Sequence, residues 1–335
     1  MSASTFHIDR AIALPAHAEH GKHGTTVYVN GGFLGRPRLT TTVPKEFVHR
    51  ASVSEVMLTD WARIDNERYC VAAQWPRGHS FFAGVEGCHD PLIAAETIRQ
   101  SGVLLAHTAF GVPLGHHFAV GDLDVHVHPQ HTRIDWTPAT LELIVTCSQV
   151  KRRAGALAGF RIAVEIYRDG HLAATGGGSL TSIAPKVYQR LRGHHFLTEG
   201  RPEVIALTAP EPPQTVGRTS PTDVVLSPIG EPHRWQLRVD TRHPVLFDHM
   251  VDHVPGMLLL EAARQATVAV RGQAALPLDM TSEFLRYVEL DRPCLIEASA
   301  LPAPGPDSSD RVLVTAHQEG TPVFRSTVTM APTAA

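Results

Sequence analysis

The chain has 335 residues, 43% hydrophobic, 6% aromatic and 19% charged, an ordinary globular composition that excludes a fibrous or disordered polymer; its length is that of roughly two domains. Thirty basic residues stand against 33 acidic ones for a formal charge of −3. Lys and Arg are scattered, so the basic footprint of a nucleic-acid binder is missing, while phosphate on a small molecule remains an open ligand.

Residues 1–42 read as a lead-in. Met1 to Arg10 is polar without the apolar core of a signal peptide, and no window approaches the roughly 20 apolar residues that span a bilayer. A cytoplasmic protein without membrane contact is expected. Cys70, Cys88, Cys147 and Cys294 form no CxxC pair, which fits reduced thiols rather than a disulfide frame or a zinc knuckle.

From 43 to 185 and from 233 to 331 the chain reads as two copies of one unit. Asp90-Pro-Leu-Ile-Ala-Ala-Glu96-Thr-Ile-Arg99-Gln100 is matched 165 positions on by Pro255-Gly-Met-Leu-Leu-Leu-Glu261-Ala-Ala-Arg264-Gln265. Pro113-Leu114 then matches Pro277-Leu278, Pro138 and Glu142 match Pro293 and Glu297, and Asp169-Gly170 matches Glu319-Gly320. The order is kept while the first copy carries extra residues, as expected of a duplication.

In chain order, each copy predicts one long helix and then strands. The alternation in Phe160–Arg168 predicts a strand, and Asp169-Gly170 a two-residue hairpin turn. Gly176-Gly-Gly-Ser179 follows that hairpin and lacks the Lys of a phosphate loop or the flanking pattern of a nucleophile elbow. From 186 to 232, Pro202, Pro210, Pro212, Pro213, Pro221, Pro228 and Pro232 predict a linker. The second helix is expected from Pro255 to Gly272, with a first-turn Pro and a terminal Gly. It is apolar nearly all round, as a helix enclosed by other structure would be. Pro302–Asp310 reads as a surface loop, and Arg311–His317, Glu319-Gly320 and Val323–Met330 as a second hairpin. The fold class is therefore α+β: an antiparallel sheet wrapped round a helix, made twice and paired edge to edge as a pseudo-dimer.

The segment His243-Pro-Val-Leu-Phe-Asp-His249-Met-Val-Asp-His253-Val-Pro255-Gly256 through Gln265, with its first-half partner holding His79, Asp90-Pro91, Glu96, Arg99 and Gln100, resembles the AfsA-type hotdog proteins, the γ-butyrolactone and furan autoregulator synthases of filamentous bacteria. The resemblance runs from about Val43 to Met330. It implies a tandem hotdog and an acyltransferase that moves a β-ketoacyl group from an acyl carrier protein, or coenzyme A, to dihydroxyacetone phosphate. No cofactor or metal is implied, and the assembly would be a monomeric pseudo-dimer or a homodimer. The helix also resembles that of hotdog dehydratases, but His249 lies six residues before Pro255 where those enzymes place their His eight before. A dehydratase, a thioesterase, or a non-catalytic acyl- or lactone-binding protein are the alternative readings.

Acyl transfer to an alcohol needs a base, oxyanion donors and a cation for phosphate. Glu96 and Glu261 are the candidate bases, since burial in an apolar helix raises a carboxylate pKa. Arg99 and Arg264 lie three residues on, on the same face, and a guanidinium grips phosphate through two nitrogens. The alternative for each pair is an internal salt bridge. The expected catalytic set is Glu96 as base with Arg264 reaching in from the other half, supported by Glu261 and His243. Arg99, Gln100, Gln265, Gly256, His249 and His79 are expected to bind substrate. The N–H groups near Gly256-Met257 and Leu92-Ile93 would polarise the thioester carbonyl through the helix dipole. Cys88 before the first helix is read as an inert small residue in preference to a nucleophile. His126 with His128, and His249 with His253, lack a third ligand at zinc spacing.

Overall fold

A computed structural model describes residues 41–196, 202–272, 275–302 and 310–331. Most of the expected lead-in and the core of the Pro302–Asp310 loop lie outside the described residues. In chain order the elements are β1 (Leu58–Arg63), β2 (Arg68–Trp75), α1 (Pro91–Thr108), β3 (His117–Val127), β4 (Ala139–Arg153), β5 (Ala156–Arg168), β6 (His171–Ile183), α2 (Pro185–Arg192), β7 (Leu226–Pro228), β8 (Arg234–Leu237), α3 (Gly256–Arg271), β9 (Pro277–Phe284), β10 (Cys294–Ala300), β11 (Arg311–Gln318) and β12 (Thr321–Met330).

The twelve strands form one antiparallel sheet in the order β1-β2-β4-β5-β6-β3-β9-β12-β11-β10-β8-β7. That order is two copies of one six-strand pattern, the second reversed, meeting where β3 pairs β9 from Asp122↔Glu283 to His126↔Asp279. The duplication seen in the sequence is thus a pseudo-twofold in space, with the repeats joined edge to edge in one sheet. Both predicted hairpin turns form, and each puts its two residues at positive φ: Asp169 and Gly170 at 51° and 77°, Glu319 and Gly320 at 51° and 73°. This is the backbone sense that matches strand twist in a two-residue turn.

The two long helices carry the buried motifs. α1 starts where Asp90 accepts a hydrogen bond from the Leu92 N–H at 2.9 Å, with Pro91 in the first turn. α3 starts after Pro255 and ends at Gly272, whose φ of 71° stops it. Of α1, all but Arg99 and Thr108 is buried. The glycine run in β6 is part of this packing. A Cβ at Gly176 would lie 2.6 Å from the Ile98 Cδ1 of α1 and would also meet the Asp124 carbonyl, so the run lets helix and neighbouring strand close on β6.

The Pro-rich stretch holds more structure than a linker requires. It contains α2, β7 and two short turns, Pro213–Val216 and Pro221–Asp223. Val48-His-Arg50-Ala-Ser52 and Val216-Gly-Arg218-Thr-Ser220 occupy equivalent positions 168 residues apart, so the duplication reaches back into this stretch.

Candidate active site

Each long helix presents a glutamate, an arginine three residues on and a glutamine four residues on, and each glutamate is met by a second arginine from far away in the chain. Glu96 Oε1 accepts from Arg50 Nε at 2.9 Å, Arg99 Nη2 at 2.7 Å and Gln100 Nε2 at 2.7 Å, while its Oε2 accepts from Arg99 Nε at 2.9 Å. Glu261 repeats the pattern with Arg218 Nε at 2.8 Å, Arg264 Nη2 at 2.6 Å, Arg264 Nε at 3.0 Å, and Gln265. Each distant arginine also ties the halves together: Arg50 donates to the Val245 carbonyl at 3.1 Å, and Arg218 to the Phe81 carbonyl at 2.6 Å.

The loops carrying those carbonyls are fixed by the two predicted histidines. His79 Nδ1 accepts from the N–H groups of Phe81 and Phe82, both at 3.1 Å, with Nε2 3.4 Å from Glu55. His243 Nδ1 accepts from Val245 and Leu246 at 3.2 and 3.0 Å, with Nε2 3.2 Å from Asp223. An accepting Nδ1 leaves the proton on Nε2, facing the carboxylate. Gln100 and Gln265 are likewise occupied, bonding Met57 N–H and Glu55 carbonyl in one copy and Val225 N–H and Asp223 carbonyl in the other. His79, Gln100 and Gln265, expected to bind substrate, and His243, expected in the catalytic set, each spend their polar atoms on hydrogen bonds and ion contacts within the protein.

The two constellations differ in access. A cavity of about 460 Å³ opens at the seam against the Glu96 copy, within the range of small-molecule sites. Its polar end holds His49, Arg50, Arg99, Asp248 and His249; Gly256 and Met257 bring the start of α3, and Val103, Leu123, Leu246, Leu259 and Leu260 line the apolar part. Glu261, Arg264 and Arg218 do not line it. At equivalent positions the second copy has Gly217 for His49, Gly84 for Asp248 and Asp90 for Pro255. The Ile134 side chain fills the space beside Gly84, and Asp90 is buried within electrostatic reach of Arg264 and Arg218. The second copy is sealed.

Three expectations change accordingly. Arg264 does not reach Glu96; it is spent on Glu261 in its own half, with Glu261 and His243 in the closed copy. The N-terminus of α1 near Leu92-Ile93 is capped by Asp90, so it is not open to a thioester, whereas α3 starts in the cavity. The N–H groups of Leu258 and Leu259 bond the Pro255 carbonyl, those of Gly256 and Met257 have no partner within the helix, and the near-absence of side chain at Gly256 keeps space there, since a Cβ would lie 3.1 Å from the Phe284 ring.

The third change concerns charge. Burial alone would raise both glutamates, but Arg50 with Arg99, and Arg218 with Arg264, outweigh it and lower each to about 2. Neither carboxylate is poised to take a proton. Burial, reinforced by Arg99 and His107, lowers His49 to about 3. Burial also lowers His249 against the pull of Asp248, whose Oδ2 lies 3.3 Å from His249 Nδ1. Asp248 itself is held by the N–H groups of Ala51 and Ser52 at 2.5 and 3.0 Å. At neutral pH His49 and His249 are thus neutral, and the cations beside them are the guanidinium groups of Arg50 and Arg99. Arg99 Nη1 has no hydrogen-bond partner among the described residues, although Nε and Nη2 are fixed by Glu96 and the Val48 carbonyl.

These shifts set an acid limit. The depressed glutamates contribute stability that is complete above their unfolded pKa of 4.5 and lost as pH falls toward 2. Neutral His49 acts in the same direction, because the unfolded chain takes up that proton near 6.5 and the folded one near 3. Thermal unfolding followed from pH 8 to pH 3 should give a Tm that falls below about 6.5 and most steeply below 4.5. A flat Tm over that range would refute the assignment.

Sequence spacing missed Arg50, Arg218, His49 and Asp248, and also the cluster at the cavity mouth. There Tyr188 of α2 donates to Asp252 at 2.6 Å, Asp252 lies 2.7 Å from His253, and Arg192 bridges Asp252 and Glu289. Elsewhere, Cys88 is buried with Sγ 3.5 Å from the Pro129 carbonyl. His194, His195 and Asp291 bring one potential ligand atom each within 4.8 Å of one another, a grouping that spacing did not reveal.

Two sheet-wrapped helices fused in one sheet, with a cavity at their seam, define a double hotdog. Residues 35–184 and 202–334 match the model of the A-factor biosynthesis hotdog domain, AfsA, and the chain belongs to that family. It is 52% identical over 288 residues to a protein of Streptomyces virginiae, covering 85% of this chain and 96% of that one, and 44% identical over 293 residues to one of Streptomyces griseus, covering 86% and 95%. Both are named 2-oxo-3-(phosphooxy)propyl 3-oxoalkanoate synthase. Among solved structures, the 12:0-ACP thioesterase of Umbellularia californica is similar with a TM-score of 0.49 and 11% identity, over 78% of this chain and 94% of that one.

Proposed function

We propose that this chain is an acyltransferase that moves a 3-oxoacyl group from a thioester to the free hydroxyl of dihydroxyacetone phosphate, giving the 2-oxo-3-(phosphooxy)propyl ester named for its relatives. One observation carries the reading. A single cavity brings together a guanidinium with an unused nitrogen, a histidine beside an aspartate, a helix N-terminus and an apolar wall, the parts that a phosphate, a hydroxyl, a thioester carbonyl and an acyl chain each need.

Arg99, oriented by Glu96, holds the phosphate of the acceptor. Neutral His249, steadied by Asp248, takes the hydroxyl proton as the oxygen attacks the thioester carbonyl carbon. The oxyanion faces the N–H groups at the start of α3, where the helix dipole favours negative charge. Collapse re-forms the carbonyl and breaks the C–S bond, and His249 returns the proton to the leaving thiolate. Glu96 acts here as the residue that positions Arg50 and Arg99, in place of the base expected from its burial.

Incubation with a β-ketoacyl thioester and dihydroxyacetone phosphate, followed by mass spectrometry, should show the phosphorylated ester. Accumulation of free β-keto acid in its place would identify a thioesterase, and saturable binding without turnover a sensor. His249→Ala should lower kcat by about 10²–10⁴ with little change in KM for the thioester, as loss of a general base does; wild-type turnover in that variant would remove His249 from the mechanism.

A further inference from the structure

Four exposed large apolar side chains lie on, or next in the chain to, segments that line the cavity. Leu285 forms part of its wall, Met250 sits between the lining residues His249 and Val251, and Val187 and Leu191 flank Tyr188 on α2. Single exposed apolar residues are ordinary, but a group of them with a polar border marks an interaction surface. α2 is fixed in place for such a role: Tyr188 and Arg192 face inward and are tied to Asp252 and Glu289, and His117 stacks on Tyr188 with ring centres 3.6 Å apart. Lys186, Val187, Arg190 and Leu191 face outward.

The charge around this lip is one-sided. Lys186 and Arg190, and Arg286 on the opposite side, have no ion-pair partner among the described residues. The neighbouring carboxylates are already matched, Asp252 and Glu289 by Arg192 and Asp248 by backbone N–H groups. A chain of net charge −3 therefore presents an apolar, uncompensated positive rim at the mouth of its cavity.

We propose that this lip docks an acidic carrier protein, whose thioester-bearing arm reaches the cavity from α2. The proposal rests on acyl transfer at the cavity and adds the surface on which the donor's carrier docks. A nucleotide thioester would use the cations for its phosphates but has no use for exposed apolar side chains spread over three chain segments. An acidic protein surface engages both, with the charges steering encounter and the apolar residues excluding water.

The test is the charge reversal Lys186→Glu with Arg190→Glu, both exposed and outside the reacting groups. Turnover is compared with the same β-ketoacyl group carried by acyl carrier protein, by coenzyme A and by N-acetylcysteamine, and the Kd of phosphopantetheinylated acyl carrier protein is measured by fluorescence anisotropy. KM and Kd for the carrier should rise about tenfold or more, with wild-type carrier binding weakened by salt. Turnover of the two small donors should be unchanged. Unaltered carrier binding, an equal loss with all three donors, or a loss confined to coenzyme A would overturn the proposal. If the unaltered protein makes no ester from any donor, the reaction is refuted while the binding measurement still decides the docking surface.

Discussion

Arg99→Ala should lower kcat/KM for ester formation by about a hundredfold or more without unfolding the protein. The two N–H groups of the unused Arg99 Nη1 are worth on the order of 3 kcal/mol together against a phosphate, and the other arginines of the two constellations are engaged: Arg50 donates to Glu96 and the Val245 carbonyl, and Arg264 is sealed against Glu261. Glu96 would keep Arg50 and Gln100 as partners, so the fold has no unpaired buried carboxylate to accommodate. The loss should fall on dihydroxyacetone phosphate more than on the thioester. Arg99→Lys should recover part of it, since lysine keeps the charge but not the fork. Steady-state kinetics with each substrate varied in turn reads both effects, and an unchanged KM for the acceptor would remove Arg99 from phosphate recognition.

Glu96→Gln and Glu261→Gln should both destabilise the protein by about 3–5 kcal/mol, the usual cost of breaking a fully buried ion network from one side, because each leaves two arginines facing an amide. Their catalytic consequences should diverge. Glu96→Gln frees Arg50 and Arg99 at the cavity wall, and ester formation should nearly vanish even at temperatures where the variant is folded. Glu261→Gln disturbs only the sealed copy, and its folded fraction should keep close to wild-type specific activity. Denaturant unfolding and turnover measured on the same preparations separate the two effects. Equal loss of activity in both variants would mean that the second constellation also takes part.

The duplication, both long helices and both hairpin turns were legible because each is a local signal: Asp90 and Pro91 at one helix start, Gly272 at the other's end, and residue pairs at positive φ between alternating strands. The partners of the two glutamates were not, since Arg50 lies 46 residues before Glu96 and Arg218 lies 43 before Glu261, too far for any helical spacing to link them. Their signal was present in the Val-x-Arg-x-Ser pattern shared by Val48–Ser52 and Val216–Ser220, once the repeat is followed upstream. Burial, which the sequence shows, raises a carboxylate pKa; the guanidinium groups of Arg50 and Arg218, which with Arg99 and Arg264 reverse the direction at Glu96 and Glu261, come from outside each helix. The inequality of the two copies was hidden as well. Glu-x-x-Arg-Gln is the same in both, and the residues that open one and close the other, His49 against Gly217 and Asp248 against Gly84, lie outside that motif.

Equilibrium binding of dihydroxyacetone phosphate by calorimetry tests the central claim, one working site built on the Glu96 copy. On that claim one equivalent binds per chain, and binding is lost in Arg99→Ala and retained in Glu261→Gln. Two equivalents per chain, or one that survives Arg99→Ala, would contradict it.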